Sequence, residues 1–153
     1  MPHENFAGNI IVNLANLPDF LRKPILRKRM NEFFTLSSSD QLEIINNALE
    51  AGPTIPFLNF AKLFSTWLEI LAMMPEKDRA ILISAYIIEI LKNPQKLILF
   101  NLDGILEVFS TIDKSNQDSI ALTIRKIFSE LTELQRKKIF LIIPKIAKEN
   151  LGL

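Results

Sequence analysis

Two pairs of carboxylates have a spacing at which one group could act as a general acid and the other as a general base. Glu76 and Asp78 are two positions apart, and Asp103 and Glu107 are four positions apart. Catalysis by such a pair also needs a partner group and a substrate placed by the tertiary structure. Carboxylates at these spacings commonly lie at helix ends and on exposed faces. We therefore predict that both pairs are surface charges without a catalytic role.

A run of three serines, Ser37–Ser39, could supply a nucleophile or a phosphorylation site. A nucleophilic serine needs an adjacent base, and none accompanies this run. Ser38 and Gln41 instead match the capping box, in which a serine at the start of a helix and a glutamine three positions later satisfy backbone N–H groups. We predict that Ser38 caps a helix.

Cysteine is absent from the chain, and His3 is the only histidine. Without thiolates the chain has no disulfide, no Cys-ligated zinc and no iron–sulfur cluster. A single histidine also excludes a multi-histidine metal site within one chain, and His3 lies in a terminus that we expect to fray. No glycine-rich phosphate loop, calcium loop, HExxH or GxSxG string occurs. We predict a protein with no catalytic residues, no cofactor and no bound metal.

The most strongly basic stretch lies at residues 21–34, where apolar residues recur at a helical spacing and predict a basic amphipathic helix. Its cations could bind nucleic-acid phosphates, an anionic membrane surface or an acidic protein. The alternative is a solvated face whose aliphatic stems cover the core. The candidate anion-binding residues include a second cluster near the C terminus, at residues 136–138. The full set is Arg22, Lys23, Arg27, Lys28, Arg29, Arg136, Lys137 and Lys138.

The net charge is only +1, but the charge is unevenly distributed. Residues 1–36 carry five basic and three acidic side chains, and residues 114–153 carry eight basic and four acidic ones. Residues 37–75 carry one basic and four acidic side chains, and residues 76–113 carry four and six. Basic ends and an acidic middle could orient a partner or favour self-association, although a solvated surface without a partner is the commoner case.

The elements that must position these residues are helices, and the clearest segment is Trp67–Pro94. Apolar residues recur at helical spacing on both sides of Pro75, so the segment predicts two helices joined as a hairpin. An offset of about 38 positions aligns this pattern with the segments before and after it. A half-step of that offset pairs Phe128, Leu131, Ile139 and Ile143 with Phe109, Ile112, Ile120 and Ile124. The similarity indicates either a true repeat or the likeness of any two amphipathic hairpins.

Prolines, glycines and capping patterns predict where the other helices start and stop. Pro24 is expected to open the main basic helix, with a kink inside a longer helix as the alternative, and Pro144 is expected to kink the last helix. The apolar spacing continues through residues 101–104, which favours a continuing helix there over a strand followed by a turn, with Gly104 permitting a close helix approach or a kink. Capping boxes are predicted for the last two helices at Ser115 with Asp118 and at Thr132 with Gln135.

These patterns predict an all-α fold with seven to eight antiparallel helices, arranged as a compact bundle or a short α-solenoid. We expect one domain, 1–153, with hairpins near 19–51, 54–92 and 94–130 and a C-terminal helix at 132–150. One hairpin per repeat resembles the HEAT and tetratricopeptide classes; Asp78 and Arg79 match the HEAT pattern loosely, and the tetratricopeptide signature positions are absent. That resemblance implies a binding surface and no chemistry.

The longest charge-free stretches, 5–18 and 51–61, are shorter than a membrane span requires, and residues 5–18 lack the basic leader of a secretory signal. We therefore expect a cytoplasmic protein. The leading hypothesis is a non-catalytic protein-interaction or adaptor domain, with a protein partner or a second copy of the chain. The alternatives are nucleic-acid or anionic-surface binding through residues 21–34, and an apolar-ligand carrier with a cavity lined by Phe and Ile.

Overall fold

The computed structural model describes residues 6–153, which are 82% helical and contain no strand. The all-α fold class is therefore confirmed. The described residues form ten α-helices, more than the seven to eight predicted. Their bounds are α1 Phe6–Ala15, α2 Asp19–Phe33, α3 Ser38–Ala51, α4 Phe57–Met73, α5 Glu76–Lys92, α6 Gln95–Ile98, α7 Leu102–Thr111, α8 Lys114–Glu130, α9 Glu133–Phe140 and α10 Lys145–Leu151.

Two interruptions account for the additional helices. The helix predicted to run through residues 101–104 stops at Ile98 and restarts at Leu102, where the Asn101 side chain accepts a hydrogen bond of 3.0 Å from the Gly104 N–H. Pro144 was expected to kink the last helix, but it has extended backbone angles and separates α9 from α10. Both predictions of continuity are wrong, because the Asn101 side chain caps a new helix at the first place and the extended backbone of Pro144 interrupts the second.

Two predicted helix starts are also corrected. Pro24 lies inside α2, because that helix begins at Asp19, directly after the extended residue Pro18. The cap of α3 is Ser37, whose hydroxyl accepts a hydrogen bond of 3.2 Å from the Asp40 N–H, so the box predicted at Ser38 does not form.

The two predicted capping boxes near the C terminus have different outcomes. The box at Thr132 is confirmed, with hydrogen bonds of 3.1 and 2.9 Å between Thr132 and Gln135. The N-cap of α8 is Asp113, two positions before the predicted Ser115, and its side chain makes no capping hydrogen bond. The capping-box pattern therefore predicts the start of α9 correctly and the start of α8 incorrectly.

Seven helices begin at a constant spacing along the chain. Their N-cap residues stand at positions 18, 37, 56, 75, 94, 113 and 132, each 19 positions after the one before. We call each of these 19-residue segments a unit; the fifth contains α6 and α7, and the seventh contains α9 and α10. The offset of about 38 found in the sequence therefore spans two units, and it superimposes every second helix.

The helices pack in two layers, with next-but-one helices side by side. One layer contains α1, α3, α5 and α8, each in contact with the next, and the other contains α2, α4 and α7. Contacts between α1 and α4, α4 and α8, and α5 and α9 join the layers. Consecutive helices such as α4 and α5 meet through side chains, as in the edge-to-face contact of Trp67 with Tyr86 at 5.7 Å.

Ion pairs give the direction of neighbouring helices within a layer. Lys23, near the start of α2, lies 3.4 Å from Glu69, near the end of α4. Lys126, near the end of α8, pairs with Glu76 at the start of α5. Each of these two neighbouring pairs of helices is therefore antiparallel.

The core lies between the layers and is built from Leu, Ile, Met and Phe side chains of α1 to α8. Ile45 and Leu71 are the most deeply buried large apolar side chains. Gly104 permits the close approach of α7 to α4, since an added Cβ would lie 2.3 Å from the Phe57 ring, as the sequence suggested. Among the described helices, none has the length and apolarity that crossing a membrane requires.

Candidate functional site

Two of the predicted anion-binding residues are internal caps of helix ends. The Arg22 guanidinium donates hydrogen bonds to the carbonyls of Leu14 and Leu17 at the end of α1, and its residue is 2% exposed. Arg136 donates to the carbonyls of Phe128 and Leu131 at the end of α8, at 3.1 and 2.8 Å. Both side chains donate to carbonyls at a helix end, where the regular hydrogen bonds of the helix stop.

This capping is repeated along the chain at one position of the unit. Arg22, Gln41, Arg79, Gln117 and Arg136 each stand four residues after an N-cap residue. Each side chain turns back to donate to one or more carbonyls at the end of the preceding helix. The position therefore holds successive helices together, and its two arginines in the predicted set contribute to the fold.

The other predicted cations are mostly paired locally. Lys23 pairs with Glu69. Arg29 lies 3.3 Å from Glu32, and Lys137 lies 3.7 Å from Glu133. Lys138 donates to the Leu91 carbonyl of α5 at 3.2 Å. Arg27 and Lys28 are exposed and have no ion pair within residues 6–153. They flank a shallow depression on α2, together with Pro24, Asn31, Glu32 and Thr35.

The structure does not bring the two basic clusters together. The extensive contacts of α2 are with α1 and α4, whereas those of α9 are with α5. Of the eight predicted cations, Arg27 and Lys28 are the two without an ion pair or a hydrogen-bond partner within residues 6–153. The hypothesis of binding nucleic acid or an anionic surface therefore depends on a much smaller group than the eight cations predicted.

The carboxylates first considered for acid–base chemistry lie apart from any pocket. Glu76 is exposed, and the hydrogen bond and the positive charge of Lys126 hold the pKa of its carboxyl below the usual value. Asp103 and Glu107 are exposed on α7. His3 lies outside the described residues.

A second concave feature is an apolar cavity of about 280 Å³ among α4 to α10, partly open to solvent. Its lining is made of Phe, Ile and Leu side chains with a small number of other residues, and it contains no charged side chain. The lining residues are Phe64, Trp67, Leu68, Leu71, Ile83, Tyr86, Ile87, Ile90, Leu97, Leu102, Ile105, Leu106, Phe109, Ile120, Ile124, Phe128, Ile139, Ile143, Pro144, Ala147, Leu151 and Leu153.

One side of the cavity is formed by a continuous row of aromatic rings. The rings of Phe60 and Phe64 stack at 5.7 Å between centroids, and those of Phe64 and Trp67 at 5.9 Å. Tyr86 of α5 then meets Trp67 edge to face at 5.7 Å and 82°. Such ring pairs stabilise their own geometry beyond simple burial. The row therefore gives the cavity a preorganised aromatic edge.

Tyr86 and Trp67 are the lining residues that carry polar side-chain atoms, but those atoms contribute almost nothing to the cavity surface. Neither the Tyr86 hydroxyl nor the Trp67 indole N–H forms a hydrogen bond to a residue of the described range 6–153. Desolvation by the surrounding protein raises the pKa of Tyr86 to about 12. The ring nevertheless keeps some accessible surface, because it borders the cavity.

These features were compared with known proteins. No family model, curated protein or solved structure matches the chain. The resemblance to HEAT and tetratricopeptide proteins therefore stays a prediction, and a function must be inferred from the geometry.

Sequence reasoning did not identify the cavity. Trp67 has packing partners as well as cavity surface. One signal in the sequence was the aromatic spacing on α4, at Phe57, Phe60, Phe64 and Trp67. That spacing predicts a shared helix face, but it does not show that the face borders a cavity.

Proposed function

We propose that this protein is a non-catalytic, cytoplasmic carrier that binds a compact apolar molecule. The observation that supports the proposal is the cavity of about 280 Å³ between the helical layers, lined by Phe, Ile and Leu. Cavities with apolar walls stay dry and take up small apolar molecules, because a water molecule there would lack hydrogen-bond partners.

The volume of the cavity sets the size of the occupant. If each non-hydrogen atom takes about 30 Å³, the cavity holds about nine such atoms. Burial of that many carbon groups contributes about 0.8 kcal/mol each. The affinity expected for a well-fitting hydrocarbon is therefore about 5 μM at the tightest, before the entropic cost of association is subtracted.

Cumene, with about nine non-hydrogen atoms, is a suitable probe for this site. At a tenfold excess over its dissociation constant, cumene should increase the free energy of unfolding by about 1.4 kcal/mol. Thermal unfolding measures this change. Fluorescence of Trp67, the only tryptophan in the chain, should report binding directly, since this ring borders the cavity.

A cavity-filling variant tests where cumene binds. Ile124→Phe combined with Leu106→Phe introduces bulk at two lining positions, and we expect cumene affinity to fall at least about tenfold. The matched control is Ile81→Phe combined with Ile88→Phe, because these α5 residues are exposed and do not line the cavity. The proposal is wrong if native protein shows no cumene-dependent stabilisation, or if both double variants lose it equally.

The second candidate is the protein-interaction or adaptor function, with a protein partner or a second copy of the chain. It is favoured by two large apolar side chains that face solvent, Phe20 at 76% and Met73 at 74% exposure. Both stand about one helical turn from the Lys23–Glu69 ion pair, on the two antiparallel neighbours α2 and α4. Exposed apolar neighbours of this kind are typical of contact surfaces.

Sedimentation velocity of the purified protein tests the adaptor function through self-association. Phe20→Ser with Met73→Ser should reduce any dimer population at least about fivefold, since it removes the apolar pair from the surface. Leu141→Ser is the control, because Leu141 is 85% exposed on a different helix connection. This function would be without support if the native protein is strictly monomeric and binds no stoichiometric partner that the double variant loses.

A further inference from the structure

The helix α2 has a second apolar stripe on its outer side, opposite the stripe that packs on the core. The inner stripe holds Leu26, Met30 and Phe33, which recur at a helical spacing and are buried. Positions 20, 21, 24 and 25 have the same kind of spacing but lie on the other side of the helix, and all four are exposed to solvent. The residues of this outer stripe are Phe20, Leu21, Pro24 and Ile25.

Two cations continue the outer stripe toward the end of the helix. Lys28 stands four positions after Pro24, which places it on the same side of the helix, and Arg27 flanks it. Neither cation has an ion pair or a hydrogen-bond partner within residues 6–153. Together with Asn31 and Thr35 they border the shallow depression on α2. The outer face of α2 is therefore apolar in its first half and positively charged in its second half.

This combination is typical of a helix that lies in the interface of a lipid bilayer. Exposed apolar side chains lose contact with water when they enter the boundary between headgroups and acyl chains, and neighbouring cations are attracted to anionic headgroups. Each Lys or Arg near such a surface adds to the binding. The outer face of α2 provides both contributions on one helix.

From this arrangement we infer that the outer face of α2 docks the protein on the surface of an anionic lipid bilayer. The two cations lie at the lipid phosphates, and the apolar stripe lies in the boundary with the acyl chains. The helix rests on the surface and does not cross the bilayer. This inference goes beyond the proposed function and does not depend on the cavity.

The same features argue against the other occupants of this face. Two cations neutralise about two phosphates, whereas nucleic-acid binding draws its affinity from several, and the apolar stripe would gain nothing there. A symmetric dimer through this face would place the same two cations on both sides of the contact, where they repel. A protein partner commonly places a helix or strand in a groove, but the depression beside the stripe is shallow.

Vesicle flotation of the full chain tests the docking. We expect binding to vesicles of equal parts phosphatidylcholine and phosphatidylglycerol, and at least about tenfold weaker binding to phosphatidylcholine alone. An increase in NaCl from about 0.1 M to about 0.5 M should weaken binding to the anionic vesicles at least about threefold, because salt shortens the range of the attraction.

A double variant tests the two cations. Arg27→Ala with Lys28→Ala should weaken binding to the anionic vesicles about thirtyfold, and both side chains are exposed, so the fold should be retained. Far-UV circular dichroism checks the fold. The matched control is Lys77→Ala with Lys92→Ala, which removes the same charge from exposed positions of α5 and should change binding less than about threefold.

A second pair of variants tests the apolar stripe. Phe20→Ser with Ile25→Ser leaves both cations in place and should weaken binding to the anionic vesicles at least about tenfold, because two inserted side chains are lost. The matched control is Leu134→Ser with Leu141→Ser, since these two residues are exposed elsewhere on the protein. We expect the control to change binding less than about twofold.

The outcomes separate docking on a bilayer from the other occupants. Equal binding to the two kinds of vesicle, or equal losses in the α2 variants and their controls, would overturn the inference. Absence of vesicle binding would overturn it as well, including the case in which the chain instead binds a single-stranded oligonucleotide or forms a dimer through Phe20. Cumene binding is measured without vesicles, so the carrier function stands or fails independently.

Discussion

Replacement of Arg79 by leucine is expected to lower the free energy of unfolding by about 3 kcal/mol. The Arg79 guanidinium donates to the carbonyls of Leu71, Ala72 and Met74 at 3.2, 3.3 and 3.0 Å, where α4 ends and α5 begins. The residue is 7% exposed, so water cannot fully replace these bonds. Leucine would leave the carbonyls without their donor in a buried position. Urea unfolding would measure the loss as a lower midpoint with an unchanged slope.

Arg79→Gln is the control that isolates the capping role. Glutamine performs the same task at the equivalent position of two other units, since Gln41 donates to the Phe33 carbonyl and Gln117 to the Ile112 carbonyl. We therefore expect Arg79→Gln to cost only about 1 kcal/mol, because one donor is retained. Equal destabilisation by glutamine and leucine would show that Arg79 acts through its bulk or charge and not through these hydrogen bonds.

Leu71→Ala is expected to lower the free energy of unfolding by about 3–4 kcal/mol. Leu71 is 1% exposed, lies in α4 at the centre of the core, and borders the cavity. Truncation removes buried methyl groups and adds their volume to an existing space, which the surrounding helices can close only in part. Thermal or urea unfolding would measure this loss.

Met73→Ala in the same helix is the matched control for Leu71→Ala. Met73 is 74% exposed, so its truncation should change stability by less than about 0.5 kcal/mol. A similar effect of the two substitutions would contradict the position of Leu71 in the core. Because Leu71 borders the cavity, Leu71→Ala should also bind molecules slightly larger than cumene, and such a molecule should restore part of the lost stability.

The sequence was sufficient to predict the helices, because apolar residues repeat at the spacing of a helix face. Ile45 and Leu82 lay on such faces, and both are buried. The offset of about 38 was visible because it relates helices in the same layer, whose inner faces meet similar neighbours. The unit of 19 residues was visible only as a half-step, since alternate helices belong to different layers and their apolar positions match less closely.

The roles of Arg22 and Arg136 were not predicted, since arginine within a basic stretch usually indicates an exposed face. What distinguishes these two arginines in the sequence is their position, four residues after an N-cap residue. Arg79, Gln41 and Gln117 stand at the same position of their units. The cavity could not be predicted at all. Its walls come from seven helices, and a space among side chains depends on packing that apolar periodicity does not specify.

The two-layer order has a consequence for how such a chain could change its length. A tandem duplication of two consecutive units would add one helix to each layer and keep every later helix on its own side. Duplication of a single unit would move all later helices to the opposite layer. Each of these helices would then have to bury and expose the faces that suit its neighbour in the other layer. Growth of this architecture is therefore favoured in steps of paired units, and each step would bring its own helix-end donor at the connection.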